Sequence, residues 1–193
     1  LSSPAFADPV FQSQAAFRAI LRALSRPGLV LGCGRGLAPP PPLGAAAAAV
    51  LLTLADFETS LWLSPAYAES EVGAWLKFHT GSPMAAPGQA AFALVDLARG
   101  AFRLDAFAQG TAEYPDRSTT VVAEVAELSD GPLRLTGPGV KGEVRFGFQP
   151  WPVDFAAQWR ANHAVAPLGV DLILTAGEKI AALPRSTRIA ESG

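Results

Sequence analysis

Apolar positions in this chain follow two rhythms, one helical and one strand-like. Phe17, Ile20, Leu21 and Leu24 recur at i, i+3, i+4 and i+7, the spacing of one helix face. Asp8-Pro9 supplies an N-cap and a first-turn proline ahead of them, and Pro27-Gly28 stops the helix. Gln14, Arg18 and Arg22 fall on another face at i, i+4 spacing. Ala45–Ala55 is apolar except for Thr53, which predicts a helix buried on most faces, started by alanines of high propensity. Ser64-Pro65 repeats the start signal. A helix to about Phe78 follows, with Val72, Trp75 and Leu76 inward. His79-Thr80-Gly81 ends it, glycine being the natural left-handed residue after a helix. Val153–His163 reads as the last helix.

Short apolar runs mark the strands. They are Leu29–Leu31, Leu61–Leu63, Ala91–Val95, Thr119–Leu128, Leu133–Thr136, Val170–Thr175 and Ile180–Leu183. The last two flank Ala176-Gly177-Glu178-Lys179. Gly177 can take the positive φ of a tight turn, so a β-hairpin is predicted. Pro184 ends its pairing. Phe102–Phe107 reads as a short helix, 32–42 and 114–117 as loops, and 146–152 as irregular. No repeat and no linker interrupts residues 1–193, which read as one domain. The alternation of helices and short strands predicts an α/β fold of three layers around a mixed β-sheet.

Composition narrows the partners. The chain has 193 residues, 50% of them hydrophobic and 17% charged, with a net charge of −2. That is a core-rich globular chain with no overall positive field for nucleic acid or an anionic membrane. The longest apolar run is too short to span a bilayer. A single cysteine, Cys33, excludes an internal disulfide and a cysteine cage for zinc or an iron–sulfur cluster, and suits a reducing cytoplasm. No leader is visible, and Leu1 in place of methionine implies a few native residues upstream.

The candidate chemistry is sparse. Gly32-Cys33-Gly34-Arg35-Gly36 is followed by prolines and not by the helix N-terminus that a nucleotide loop requires. Lys77 sits on a helix, Lys141 in a glycine-rich loop and Lys179 at a hairpin tip, none of them a setting for a pyridoxal phosphate Schiff base. His79, at a helix C-terminus, reads either as a cap or as a polar contact to an anionic ligand or partner. His163 reads as a cap. Thr136-Gly137-Pro138-Gly139 is either a plain turn or an amide nest for an oxyanion. Arg185-Ser186-Thr187-Arg188 is either a solvated tail or a set of guanidinium and hydroxyl donors for phosphate-like oxygens. Asp171 lies among apolar neighbours and needs a partner if buried, for which Arg185 is the nominee. The candidate anion- or ligand-binding residues are therefore His79, Thr80, Arg185 and Thr187. No catalytic residue, metal site or cofactor emerges.

Four blocks in order carry a family resemblance. They are F-R-A-I-L-R-A-L-S-R-P-G from Phe17, A-V-L-L-T-L-A-D-F-E-T-S-L-W-L-S from Ala49, L-K-F-H-T-G-S-P from Leu76, and P-L-G-V-D-L-I-L-T-A-G-E-K-I-A-A-L-P-R-S-T-R-I from Pro167. Together they resemble the H-subunit family of the bacterial carbon–phosphorus lyase system. The resemblance implies a fold like the large domain of pyridoxal-phosphate-dependent transferases, without that cofactor. It implies a cytoplasmic protein of organic phosphonate catabolism, working with G-, I- and L-type subunits. Those subunits displace adenine from ATP with an alkylphosphonate to give a ribose 1-phosphonate 5-triphosphate, and a J-type subunit then cleaves the C–P bond. Two roles stay open. One is an assembly subunit without activity of its own, docked on the I-type subunit and able to form a homodimer. The other is an anion-binding half-site for phosphonate or ATP in the transfer reaction.

Overall fold

A computed structural model describes residues 5–99 and 103–191. Helix α1 (Pro9–Ser25) starts as predicted: the Asp8 carboxylate accepts the Phe11 N–H at 3.2 Å, satisfying one of the free amides of the first turn. Its buried row is Ala16, Ile20 and Ala23. Phe17 and Leu21, on the predicted apolar face, are half exposed. The apolar arc of this helix is wider than its contact with the rest of the chain.

Strand β1 (Leu31–Gly32) precedes α2 (Ala45–Leu54), in which Ala46–Leu51 are all inaccessible to solvent. Strand β2 (Leu61–Leu63) leads into α3 (Pro65–Ala68) and α4 (Val72–Thr80). The sequence predicted one helix from Ser64 to about Phe78, but residues 69–71 break it. Ser64 makes no side-chain cap, and Ser70 turns back so that its hydroxyl donates to the Tyr67 carbonyl and accepts the Val72 N–H. Helix α4 ends on Gly81 at φ 74°, the left-handed stop expected there.

Strand β3 (Phe92–Asp96) is followed by β4 (Thr120–Glu124) and β5 (Glu127–Thr136). The sequence read 119–128 as one strand, yet the chain leaves one sheet at Val125-Ala126 and joins another. Strand β6 (Val144–Gln149) occupies most of the segment expected to be irregular, with Phe146 and Phe148 buried side by side about a bulge. Only the 3₁₀ turn at Leu104–Ala106 represents the predicted helix at 102–107, and Phe102 lies outside the described residues. Helix α5 (Phe155–Ala164), the hairpin β7 (Asp171–Ala176) and β8 (Lys179–Leu183), and β9 (Arg188–Glu191) complete the chain.

The main sheet runs β1-β8-β7-β4-β3-β2, with β7, β4, β3 and β2 mutually parallel and β8 antiparallel to both of its neighbours. It is the mixed sheet that the sequence predicted. Alternate residues point to opposite faces. Leu94, Val122, Ile173 and Ile180 join α1, α2 and α4 in one core. Ala93, Val121, Leu172 and Ala181 join a second core under α5 and the small antiparallel sheet β6-β5-β9. Helices, main sheet, and small sheet with α5 therefore form three layers.

Candidate functional site

In an α/β sheet of this kind, ligands collect beyond the carboxyl ends of the parallel strands. Three segments meet there. Glu124 ends β4, and its carboxylate accepts the Tyr67 hydroxyl at 2.6 Å and the Gly44 N–H at 2.9 Å. Tyr67 belongs to α3 and Gly44 caps α2. One carboxyl group thus ties together the two crossover segments beside it. Gly44 is needed for this approach, because a Cβ there would lie 2.2 Å from Glu124 Oε1. Burial pushes the Glu124 carboxyl pKa up, against the opposing pull of the Tyr67 and Gly44 hydrogen bonds. Burial, then the Glu124 charge, pushes the Tyr67 phenol pKa up as well.

This shift has a testable consequence. A carboxyl whose pKa is raised on folding binds its proton more tightly in the native state. Its contribution is fully present below the ordinary value of 4.5 and is lost as pH rises through the raised value. Glu124→Gln removes that dependence. In urea unfolding at several pH values, the parent is expected to lose ground to Glu124→Gln as pH increases from 4 towards neutrality. A gap that widened in the parent's favour would refute the assignment.

Beside this knot, a cavity of about 370 Å³ opens at the ends of β2 and β3, between Trp62, Val95, Leu97 and Phe107. Trp62 and Phe107 meet edge to face at 5.5 Å. Its rim carries charge that is already paired: Arg99 with Asp96 at 3.4 Å, and Arg103 with Asp105. A small ligand would find apolar walls here. No nucleophile–base pair of the kind that drives covalent catalysis lines them. Among the described residues no group of three His, Cys, Asp or Glu could hold a metal ion. Burial pushes the Cys33 thiol pKa up to about 11, away from the reactive thiolate.

The residues chosen from sequence lie elsewhere. His79 is half-buried in the last turn of α4, its ring edge-on to Trp75 at 4.8 Å and to Phe78 at 4.9 Å. Thr80 next to it serves the backbone: its hydroxyl donates to the Leu76 carbonyl at 2.8 Å and accepts the Ser82 N–H at 3.1 Å. Arg185 pairs with Asp171 at 2.6 Å, as nominated, and also donates to the carbonyls of Pro115 and Pro167 and to the Ser118 hydroxyl. Its fork of donors is spent on the protein. Thr187 is fully buried and its carbonyl accepts the Trp159 indole N–H at 2.9 Å. The segment read as a possible solvated tail is instead the lead-in to β9. The two pairs are not brought together. Arg185 and Thr187 stand by β7 and α5, while α4 lies over the far side of the main sheet, with β3 and β4 between β2 and β7.

The glycine loop at 32–36 is also occupied. Glu178 at the hairpin tip accepts the Cys33 N–H on its carbonyl and the Gly36 N–H on its carboxylate. The Gly137–Gly139 turn abuts the Ser25 carbonyl at the end of α1. Sequence reasoning missed Glu124 and Tyr67. The available signal was a glutamate placed directly after the apolar run Val121-Val122-Ala123, where a half-buried carboxylate must find donors.

Comparison with known proteins fits this arrangement to one family. The chain is 44% identical to the alpha-D-ribose 1-methylphosphonate 5-triphosphate synthase subunit PhnH of Rhizobium meliloti (strain 1021), over 97% of this chain and 94% of that protein. It is 36% identical to the putative C-P lyase subunit protein HtxG of Stutzerimonas stutzeri, over 92% of this chain and 86% of that protein. The family model described as bacterial phosphonate metabolism protein (PhnH) matches residues 4–190, and the chain therefore belongs to the PhnH family.

Proposed function

We propose that this chain is a subunit of a carbon–phosphorus lyase complex and acts there as an assembly component. It supports the ATP- and alkylphosphonate-dependent formation of ribose 1-phosphonate 5-triphosphate without itself carrying the reaction. One observation carries the reading: similarity to proteins named as subunits of such a system runs through almost the whole chain. The state of its polar groups supports it. Glu124, Tyr67, Asp171 and Arg185 spend their hydrogen bonds on one another and on the backbone. Companion subunits of the I, G, L and J types, a cytoplasmic location, a homodimer outside the complex, and a single domain related to the large domain of pyridoxal-phosphate-dependent transferases all belong to this reading. No helix among the described residues is long and apolar enough to cross a membrane.

The alternative, a phosphonate- or ATP-binding half-site, would centre on His79 and Thr80, since Arg185 spends its donors within the fold and Thr187 is buried away from solvent. A thermal-shift titration separates the two roles. Ligand that binds only the native state raises the melting temperature by mass action, by about 2.7 kcal/mol of stabilisation at a hundredfold excess over Kd. The assembly role predicts no shift with ATP or methylphosphonate, and co-purification with tagged companion subunits. A saturable rise lost in His79→Ala would establish the half-site instead.

A further inference from the structure

Helix α1 carries a face that none of the described residues covers. Val10 and Phe11 are 74% and 71% exposed, and Phe17 and Leu21 45% and 50%, while Ile20 on the packed side is 1% exposed. Successive helical residues turn by about 100°. Val10, Phe17 and Leu21 therefore form one row along the helix, and Phe11, Arg18 and Arg22 a parallel row beside it. No acidic residue occurs between Pro9 and Ser25, and Arg26 follows at the C-cap. An apolar stripe with a cationic flank is the signature of a surface made to be covered.

We infer that this face of α1 docks into a companion subunit through an apolar groove rimmed by carboxylates. The inference rests on the assembly reading above. The charges choose the occupant. A second copy lying antiparallel on α1 across a two-fold axis would set the arginine rows side by side, a juxtaposition that opposes pairing. A membrane surface is disfavoured by the net charge of −2 and by the narrowness of the stripe. A groove with acidic walls satisfies both rows at once, and aromatic anchors flanked by arginine are the residues that dominate such contacts.

The test uses co-expressed, tagged companion subunits and the full chain. The Phe17→Glu/Leu21→Glu double variant is expected to lose about 100-fold in affinity for the companion. Arg18→Glu/Arg22→Glu is expected to lose about 10-fold at low salt and less at high salt. Val153→Glu, at a fully exposed position away from α1, serves as the control and should assemble normally. Unchanged melting temperatures of the isolated variants establish that the fold is intact. Assembly of the stripe variant at parental affinity overturns the docking face and leaves the assembly reading standing. Failure of the parent chain to assemble removes both. Loss confined to self-association, or to binding of phosphatidylserine vesicles, assigns the face to another occupant and overturns the inference.

Discussion

Replacing Trp159 with alanine is expected to remove about 4 kcal/mol of stability, within the range for emptying a large buried aromatic site. The ring is inaccessible to solvent and stacks on Phe155 with centroids 6.0 Å apart and planes 16° apart. Its indole N–H supplies the Thr187 carbonyl at 2.9 Å. Truncation opens a void between α5 and β9 and leaves a buried carbonyl unpaired. Trp159→Phe keeps most of the volume and loses the donor, so its cost should be about 1–2 kcal/mol. Urea denaturation of the two variants checks the order. A loss below about 1 kcal/mol for the alanine variant would mean that the layer collapses around the gap.

Arg185→Ala should be nearly as damaging, at about 3–4 kcal/mol. The side chains of Arg185 and Asp171 are only 17% and 25% exposed. Removing the guanidinium leaves the Asp171 carboxylate with the Arg185 backbone N–H at 2.8 Å, and deprives Pro115, Pro167 and Ser118 of a shared donor. Lysine cannot reproduce a planar fork that reaches four partners, so Arg185→Lys should recover less than half of the loss. For a chain of this length each kcal/mol corresponds to about 2–4 °C. Differential scanning calorimetry should therefore place the alanine variant about 6–16 °C below the parent. A variant of parental melting temperature would show the pair to be dispensable.

These two residues show where the sequence was readable. Asp171 stood among apolar neighbours and had to be paired, and the partner nominated is the one present. Hydrophobic periodicity gave the helices, the hairpin and the main-sheet strands because burial acts on each residue locally. The breaks were less legible. Val121–Leu128 is uniformly strand-like apart from Glu124 and Glu127, so nothing local marks the change of sheet at 125–126. Ser64-Pro65 promised a cap, but the turn at 69–71 is set by Ser70. Strand β9 carries no local strand signal, and its partner, β5, lies more than fifty residues earlier. The Glu124 knot is a meeting of three separate segments, and the period of a pattern carries no record of such meetings. The stripe on α1 failed differently: the apolar arc is real, but periodicity does not say whether its cover lies within the same chain.

The hairpin tip has a consequence for anyone handling this protein. Tight turns between strands are usually where tags and insertions are tolerated. Here the Gly177 carbonyl accepts the Ala46 N–H at 2.8 Å at the start of α2, and Glu178 holds two amides of the 33–36 loop. The tip is a rivet through which the C-terminal hairpin fastens the first third of the polypeptide. A label placed there would loosen α2 and β1 together, so fluorophores and affinity handles belong on other loops.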